Sequence, residues 1–471
     1  MKQIFNYLKQ YQLKRDTNFF TSTKFSCLAE KKFAELIKIT NPETPSKVLI
    51  SELKPTEFIA SFIAAVGASC QVFLCNPNWG KLEWEQVLQS VQPDIILGNI
   101  LNHKFLEGSL EKTSRLPTDN PWKKNLPNEK NLIMIPTGGS SGKIKFAIHT
   151  WETLISSVRG FQEYFQVQQI NSFCVLPLYH VSGLMQFMRS FTTEGNLVIL
   201  PSYKEIFDKK EWNINPNDFF ISLVPTQLQN LLQNAEIANW LSNFQTVLLG
   251  GAAAWEELFN AARKYQIKLA PTYGMTETAS QVATLKPEDF LAGNNSNGQV
   301  LPHAKIIVKN ENREILSHNK IGNISIQANS LALGYYPNIF KNYESLATDD
   351  LGFFDDQGYL KIVGRSSQKI ITGGENVFPA EVEAAILATG LVTDVCVIGL
   401  ADKYWGEVVT AVYVGNNFEV SREKLLVAID GKLTKFKQPK YWLKVESLPR
   451  NSQGKINREL LKEITLEKIR G

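Results

Sequence analysis

Cysteine and histidine are scarce in this chain, five of each. The cysteines (Cys27, Cys70, Cys75, Cys174, Cys396) are odd in number and form no C-x-x-C pair. Neither a disulfide framework nor a structural zinc site is therefore expected. Reduced, mostly buried thiols fit a cytoplasmic protein. An excess of one charge is also lacking, since 50 Lys and Arg face 46 Asp and Glu, a formal net charge of +4 over 471 residues. The lysines are scattered, whereas a nucleic-acid groove needs a clustered basic face, so nucleic acid is not an expected partner. Nor is there an apolar run fit to span a membrane. The longest, Phe58 to Cys75, contains Ser61, Gly67, Ser69 and Gln71 and changes period midway. It reads as a buried helix over Phe58–Ala65 and a strand over Val72–Cys75, so no integral membrane segment is expected. Lys9, Lys14, Arg15 and Asp16 leave no signal-peptide core near the N-terminus.

What remains is the balance of a soluble globular protein, 44% hydrophobic and 20% charged. At about 150 residues per domain, two to four domains are expected. Short apolar runs alternate with helix-length amphipathic segments: Asp94–Leu97, Asn131–Ile135, Phe173–Leu176, Asn196–Leu200, Phe220–Val224 and Thr246–Leu249. Continuous apolar strands alternating with helices predict parallel sheets buried on both faces. Several runs end in Gly, Pro or Thr (Pro136-Thr137-Gly138, Pro177, Pro225-Thr226, Gly250-Gly251), as expected where ligands bind beyond the carboxyl ends of strands. After about residue 290 the strands shorten and turn signals multiply, as in Asn294–Gly298 and Asp355–Gly358. A small β-barrel-like subdomain is expected there. The polar stretch Gly364–Gln368 marks the boundary between a large α/β domain, residues 1–364, and a small, mobile α+β domain, residues 365–471.

The sharpest local signal is Pro136-Thr137-Gly138-Gly139-Ser140-Ser141-Gly142-Lys143-Ile144-Lys145. Glycines that expose backbone N–H groups, with hydroxyls and lysines, are the parts of a phosphate cradle. It is not a Walker loop, because only three residues separate Gly138 from Gly142-Lys143 and Ile144 stands in place of Ser or Thr. It does contain Gly-x-Ser-x-Gly centred on Ser140, which admits a serine hydrolase using His180. A nucleophile elbow leads into a helix, however, while Lys143–His149 alternates as a strand. A hairpin covering a polyphosphate is the better reading.

This loop resembles the phosphate-binding hairpin of the acyl-adenylate-forming enzymes, the family of acyl-CoA synthetases, luciferases and adenylation domains. Four further segments are similar in order and spacing: Pro271–Glu277, Thr348–Gly352 with Gly358–Leu360 and Gly364-Arg365, Gly373–Glu383, and Leu448–Ile456. The resemblance implies ATP, Mg2+ and coenzyme A, and two half-reactions: adenylation of a carboxylate, then thiol attack with AMP leaving. It also assigns roles. Thr137, Gly138, Gly139, Ser140, Ser141, Gly142 and Lys145 would hold the β- and γ-phosphates, Thr276 would touch phosphate, and Glu277 would hold Mg2+. Gly250, Gly251, Ala252 and Tyr273 would flank adenine, with Gly274 also among the cofactor-binding residues, Asp350 would accept from the ribose hydroxyls with Arg365 nearby, and Lys455 would bridge carboxylate and α-phosphate. Thr276, Glu277, His180 and Lys455 are the expected catalytic residues. The hinge between half-reactions, usually Asp or Lys in the family, is Gln368, and Asp349 replaces a usual Gly beside Asp350.

Leu176–Leu184 and Leu223–Leu228 resemble the 2-succinylbenzoate–CoA ligases of menaquinone and phylloquinone synthesis. Such substrates carry an aromatic ring and a second carboxylate. A pocket for them needs a cation or hydroxyls, and His180, Ser182, Gly183, Arg189 and Gln227 are the expected lining. Other aryl- or fatty-acyl-CoA ligases, or an enzyme that loads a separate carrier protein, are the alternatives. A homodimer is admissible.

Overall fold

The computed structural model describes residues 22–40, 44–98, 100, 131–138, 144–208, 214–340, 344–416, 420–450 and 456–470. The first sheet contains β1 (Lys47–Ser51), β2 (Gln71–Leu74), β3 (Ile95–Gly98), β4 (Ile133–Gly138) and β5 (Ile144–His149). The second contains β6 (Asn171–Cys174), β7 (Leu197–Ile199), β8 (Phe219–Leu223), β9 (Thr246–Leu249), β10 (Leu269–Met275), β11 (Ser280–Thr284) and β12 (Gln299–Val300). Next come β13 (Ala304–Lys309), β14 (Gly322–Ala328), β15 (Gly334–Tyr335), β16 (Asn338–Ile339), β17 (Leu346–Phe354) and β18 (Leu360–Arg365). The last strands are β19 (Ile370–Thr372), β20 (Glu375–Val377), β21 (Val392–Asp402), β22 (Gly406–Gly415) and β23 (Tyr441–Lys444).

Sheet one runs β16-β15-β5-β4-β2-β1-β3, and sheet two runs β12-β11-β10-β9-β8-β6-β7. In sheet one the strands from β4 through β2 and β1 to β3 are parallel, and in sheet two those from β10 to β7 are parallel. Antiparallel strands are added at one edge of each, β5 and β15 in the first, β11 and β12 in the second. The helices Pro55–Gly67, Trp151–Phe165 and Val181–Thr192 share one core with residues of both sheets, including Val48, Val72, Cys174 and Phe220. Position explains the first helix, in which every residue from Phe58 to Gly67 is buried: a helix apolar all round belongs inside. Among the described residues no helix is long and apolar enough to cross a membrane.

The barrel-like subdomain takes the form of an antiparallel sheet, β13-β14-β17-β18, whose inner face packs on Tyr273 of β10 and on Val282 and Ala283 of β11. Residues after Gln368 form a separate sheet, β20-β19-β22-β21 with β23 beside β22, over its own core of Ile370, Val382, Val397 and Leu425. The helix Pro379–Leu387 of this part also touches the sheet-two core through Ala384 and Leu387.

Candidate active site

Strands β4 and β5 form an antiparallel hairpin with Thr137 opposite Lys145 and Gly138 opposite Ile144. The glycine-rich segment thus leads into a strand, which removes the strand-to-helix setting that a Ser140 nucleophile or a Walker loop requires. Gly139, Ser140, Ser141, Gly142 and Lys455 lie outside the described residues. Beside the hairpin, Lys145 Nζ sits 5.5 Å from the centroid of the Tyr335 ring, and the Tyr335 hydroxyl donates to Glu277 Oε1 at 2.6 Å. Burial, then the Glu277 charge, raises the Tyr335 pKa well above the usual phenol range, so it remains a donor. Lys145, Tyr335 and Glu277 therefore form one row along the hairpin.

Glu277 belongs to a single turn, Thr276–Thr278, that follows β10. The turn closes through Ala279 at φ 51° and Ser280 at φ 95°, conformations that side chains disfavour. Such strain persists only where the surroundings over-determine it. Here Thr278 Oγ1 accepts from Met275 N–H and donates to the Ser280 carbonyl at 2.6 Å, while Ser157 Oγ donates to the Ala279 carbonyl at 2.7 Å. No group of three His, Cys, Asp or Glu suited to a metal occurs among the described residues. A lone carboxylate fits Mg2+ all the same, since that ion keeps several waters and takes its other ligands from substrate phosphates.

The predicted nucleoside residues come together at the seam between β10 and the third sheet. Tyr273 hydroxyl donates to Asp350 Oδ2 at 2.8 Å, and Arg365 Nε lies 3.3 Å from Asp350 Oδ1, the two residues being cross-strand partners. Asp350 is only 8% exposed, so a donor on each oxygen keeps the buried carboxylate satisfied. Four lone-pair sites still leave it capacity to accept from hydroxyls. Gly251 (φ 84°) and Ala252 lie exposed past the end of β9, where a flat ring can approach. Gly274 has a different reason: a Cβ there would stand 2.1 Å from the Ser280 carbonyl oxygen.

On the acyl side, His180 caps the helix Val181–Thr192, its ring 4.6 Å from that of Tyr179, with Ser182 in the first turn. Gly183 is required by the chain itself, because a Cβ would come 2.2 Å from the Pro177 carbonyl oxygen. Gln227 is likewise occupied: its Oε1 accepts from Val224 N–H at 3.1 Å at the start of the helix Pro225–Leu232. Arg189 is 2% exposed. Its Nη2 donates to Ser280 Oγ at 3.1 Å and Gln281 Oε1 at 2.9 Å, and the guanidinium lies 4.3 Å over the Phe161 ring. Burial lowers its pKa to about 9, which still leaves it charged at neutral pH. Among the described residues no carboxylate pairs with it, and its Nε lacks a partner.

Three features escaped the sequence reading. His303 has both ring nitrogens buried without partners, and burial followed by the nearby Arg189 charge lowers its pKa to about 4. Its ring lies against Gly160 and, with Thr153, Lys305 and Asn329, lines a cavity of about 500 Å³. His149 is wholly buried and bonded through both nitrogens. Asp349 accepts from the backbone N–H of Ser367 at 3.0 Å and from its hydroxyl, so the extra acid beside Asp350 secures the turn Ser366–Gln368. No signal in one sequence links these partners.

A model of the AMP-binding enzyme family matches residues 30–336, and one of the AMP-binding enzyme C-terminal domain matches residues 381–455. The 2-succinylbenzoate–CoA ligase of Bacillus mycoides is 30% identical over 345 residues, 72% of this chain and 71% of that one. The o-succinylbenzoate CoA synthetase of Bacillus subtilis, solved with its acyl-adenylate intermediate, is 25% identical with a TM-score of 0.82, over 97% of this chain and 98% of that one. ATP-bound MatB of Rhodopseudomonas palustris, 22% identical with a TM-score of 0.79 over 98% of each chain, shares the fold. With the first of these models alone covering well over half its length, the chain belongs to the AMP-binding enzyme family.

Proposed function

We propose that this chain is an ATP-dependent, AMP-forming 2-succinylbenzoate–CoA ligase of menaquinone or phylloquinone biosynthesis, acting in the cytoplasm on small molecules. The Bacillus mycoides relative and the Bacillus subtilis structure are named for that activity, the latter also solved with ATP and magnesium, and coenzyme A is the co-substrate it implies. The observation that carries the substrate choice is Arg189, a buried cation whose described partners are neutral. A charge held out of water without a counter-ion is costly, and a substrate carboxylate would supply the missing one. His180 and Arg189, nine residues apart on one helix, stand about 13 Å apart along its axis. We therefore assign His180 and Ser182 to the adenylate end of the acyl site and Arg189 to its far end.

Both reactants are anions, so catalysis consists of alignment and charge neutralisation. Thr137, Lys145 and the intervening loop would hold the β- and γ-phosphates, with Thr276 beside them. Mg2+, held by Glu277 and phosphate oxygens, would neutralise charge on the leaving pyrophosphate. Asp350, with Arg365 and Tyr273 behind it, would orient the ribose, and Lys455 would bring carboxylate and α-phosphate together. We place the domain boundary after residue 364, with the carboxyl-terminal part turning about Gln368 between half-reactions.

The test is ATP–pyrophosphate exchange and CoA-dependent AMP formation, screened over 2-succinylbenzoate, simple benzoates and fatty acids. Preferential turnover of 2-succinylbenzoate is expected. Faster turnover of a fatty acid, or adenylation without transfer to coenzyme A, would replace the reading by a fatty-acyl ligase or a carrier-protein-loading enzyme.

A further inference from the structure

We propose that His149 is a positioning residue that locks the Thr276–Glu277 turn to the phosphate hairpin through an N–H donated by Nε2 to the Thr276 carbonyl. The inference rests on the nucleotide site proposed above. His149 ends β5, the strand that carries Lys145, and the two residues share a strand face, four positions apart. Its Nε2 lies 2.8 Å from the Thr276 carbonyl oxygen, 127 positions along the chain. A carbonyl only accepts, so Nε2 must carry the proton.

Nδ1 lies 3.0 Å from Thr153 Oγ1, itself held by Thr150 N–H at 3.1 Å. In a neutral ring Nδ1 must accept, so the Thr153 hydroxyl donates to it and fixes the tautomer. The alternative acceptor for that hydroxyl, the Thr150 carbonyl at 3.0 Å, would be used only if the ring became doubly protonated. Burial opposes that state, with the pKa lowered to about 4.

The consequence is mechanical. The Thr276 carbonyl otherwise accepts from Ala279 N–H, within the strained turn itself. His149 adds a bond from outside the turn and from the same strand as Lys145, so the two phosphate-facing elements move as one piece. Tyr335 acts on the Glu277 carboxylate; His149 acts on the backbone beneath it.

The experiment compares His149→Gln, which keeps an amide N–H near the Nε2 position, with His149→Leu, which has no donor. ATP affinity is measured by calorimetry with and without Mg2+, unfolding by urea without ligands, and KM for each substrate separately. His149→Leu should weaken ATP binding roughly three- to tenfold, the scale of one hydrogen bond lost from a carbonyl that keeps its bond from Ala279 N–H. The KM for 2-succinylbenzoate should change less than about twofold, and His149→Gln should recover most of the loss. Nitrogen-15 spectra of the wild-type imidazoles, few enough to resolve, should show His149 neutral with its proton on Nε2 at pH 7. Wild-type ATP affinity in a folded His149→Leu, equal loss in both variants, or an Nδ1–H tautomer would overturn the proposal; the spectrum decides it even where neither variant folds. Failure of the wild-type chain to bind ATP would instead remove the nucleotide site on which the inference rests.

Discussion

Replacing Arg189 by Met separates the two roles open to a buried arginine. The guanidinium sits 2% exposed among Phe161, Ser280 and Gln281, with no carboxylate beside it among the described residues. Methionine fills similar volume and removes a charge that folding must desolvate without a partner, so stability should be unchanged or should rise. Catalysis should suffer. Truncating one member of a buried charge pair costs about 2–5 kcal/mol, much of it from stranding the other charge. At about 1.4 kcal/mol per decade, kcat/KM for 2-succinylbenzoate should fall roughly 30- to 4,000-fold. The assay is pyrophosphate release at saturating ATP and coenzyme A, run in parallel on a monocarboxylate analogue lacking the unreacted carboxylate. Wild type should strongly prefer the dicarboxylate, and the variant should lose that preference while its urea midpoint holds. Equal loss on both substrates together with a fall in stability would mean that Arg189 merely braces the β10–β11 turn through Ser280 and Gln281. Unchanged kinetics would refute the assignment outright.

Lys455→Ala should abolish acyl-adenylate formation yet retain thiol transfer from preformed adenylate, and equal loss of both half-reactions would contradict its role. Asp349→Ala removes two hydrogen bonds to Ser367 at the exposed turn before Gln368, so global stability should move by less than about 1 kcal/mol. The ratio of the two half-reaction rates should change instead, measured by single-turnover adenylation and thiolysis, and an unaltered ratio would leave Asp349 without a part in the hinge. Stability should also depend on pH through His149 and His303, both with pKa lowered to about 4 by burial. The unfolded imidazoles, near 6.5, bind more protons than the folded ones between pH 4 and 6.5. The stabilising effect is therefore complete above about pH 6.5 and is lost as pH falls toward 4, on the order of 3 kcal/mol per histidine. Urea midpoints that stay flat across this window would sink the argument.

What was legible in the sequence is what short-range pattern encodes. Alternation over Lys143–His149 announced a strand after the glycine-rich loop, and that one reading distinguished a phosphate hairpin from a hydrolase elbow. The apolar runs gave the strands, though not always their ends: β6 stops at Cys174, while the buried Val175 and Leu176 continue the apolar run beyond it. Glycine carries an ambiguous signal. Gly183 and Gly274 read as places where a ligand approaches, yet the chain's own carbonyls already require both, and a lone glycine carries the same signal for either.

The polar contacts that organise the site were illegible for a different reason. His149 meets Thr276, Asp349 meets Ser367 and Tyr335 meets Glu277 only after distant strands have been set side by side. Arg189 is the instructive intermediate. Its charge suggested a contact with the substrate's second carboxylate, whereas its depth could have been read from its neighbours. From Gly183 to Phe191 it is the one charged residue in a segment that is otherwise apolar or small apart from Gln186, and a helix without a polar face has nowhere to expose it. A cation so placed must meet an anion, be desolvated by neutral donors and acceptors, or sit at a site that a ligand completes. The second and third conditions describe this one. Ser280 and Gln281 keep the guanidinium oriented, and the Nε left without a partner marks a donor that no described residue of the chain uses.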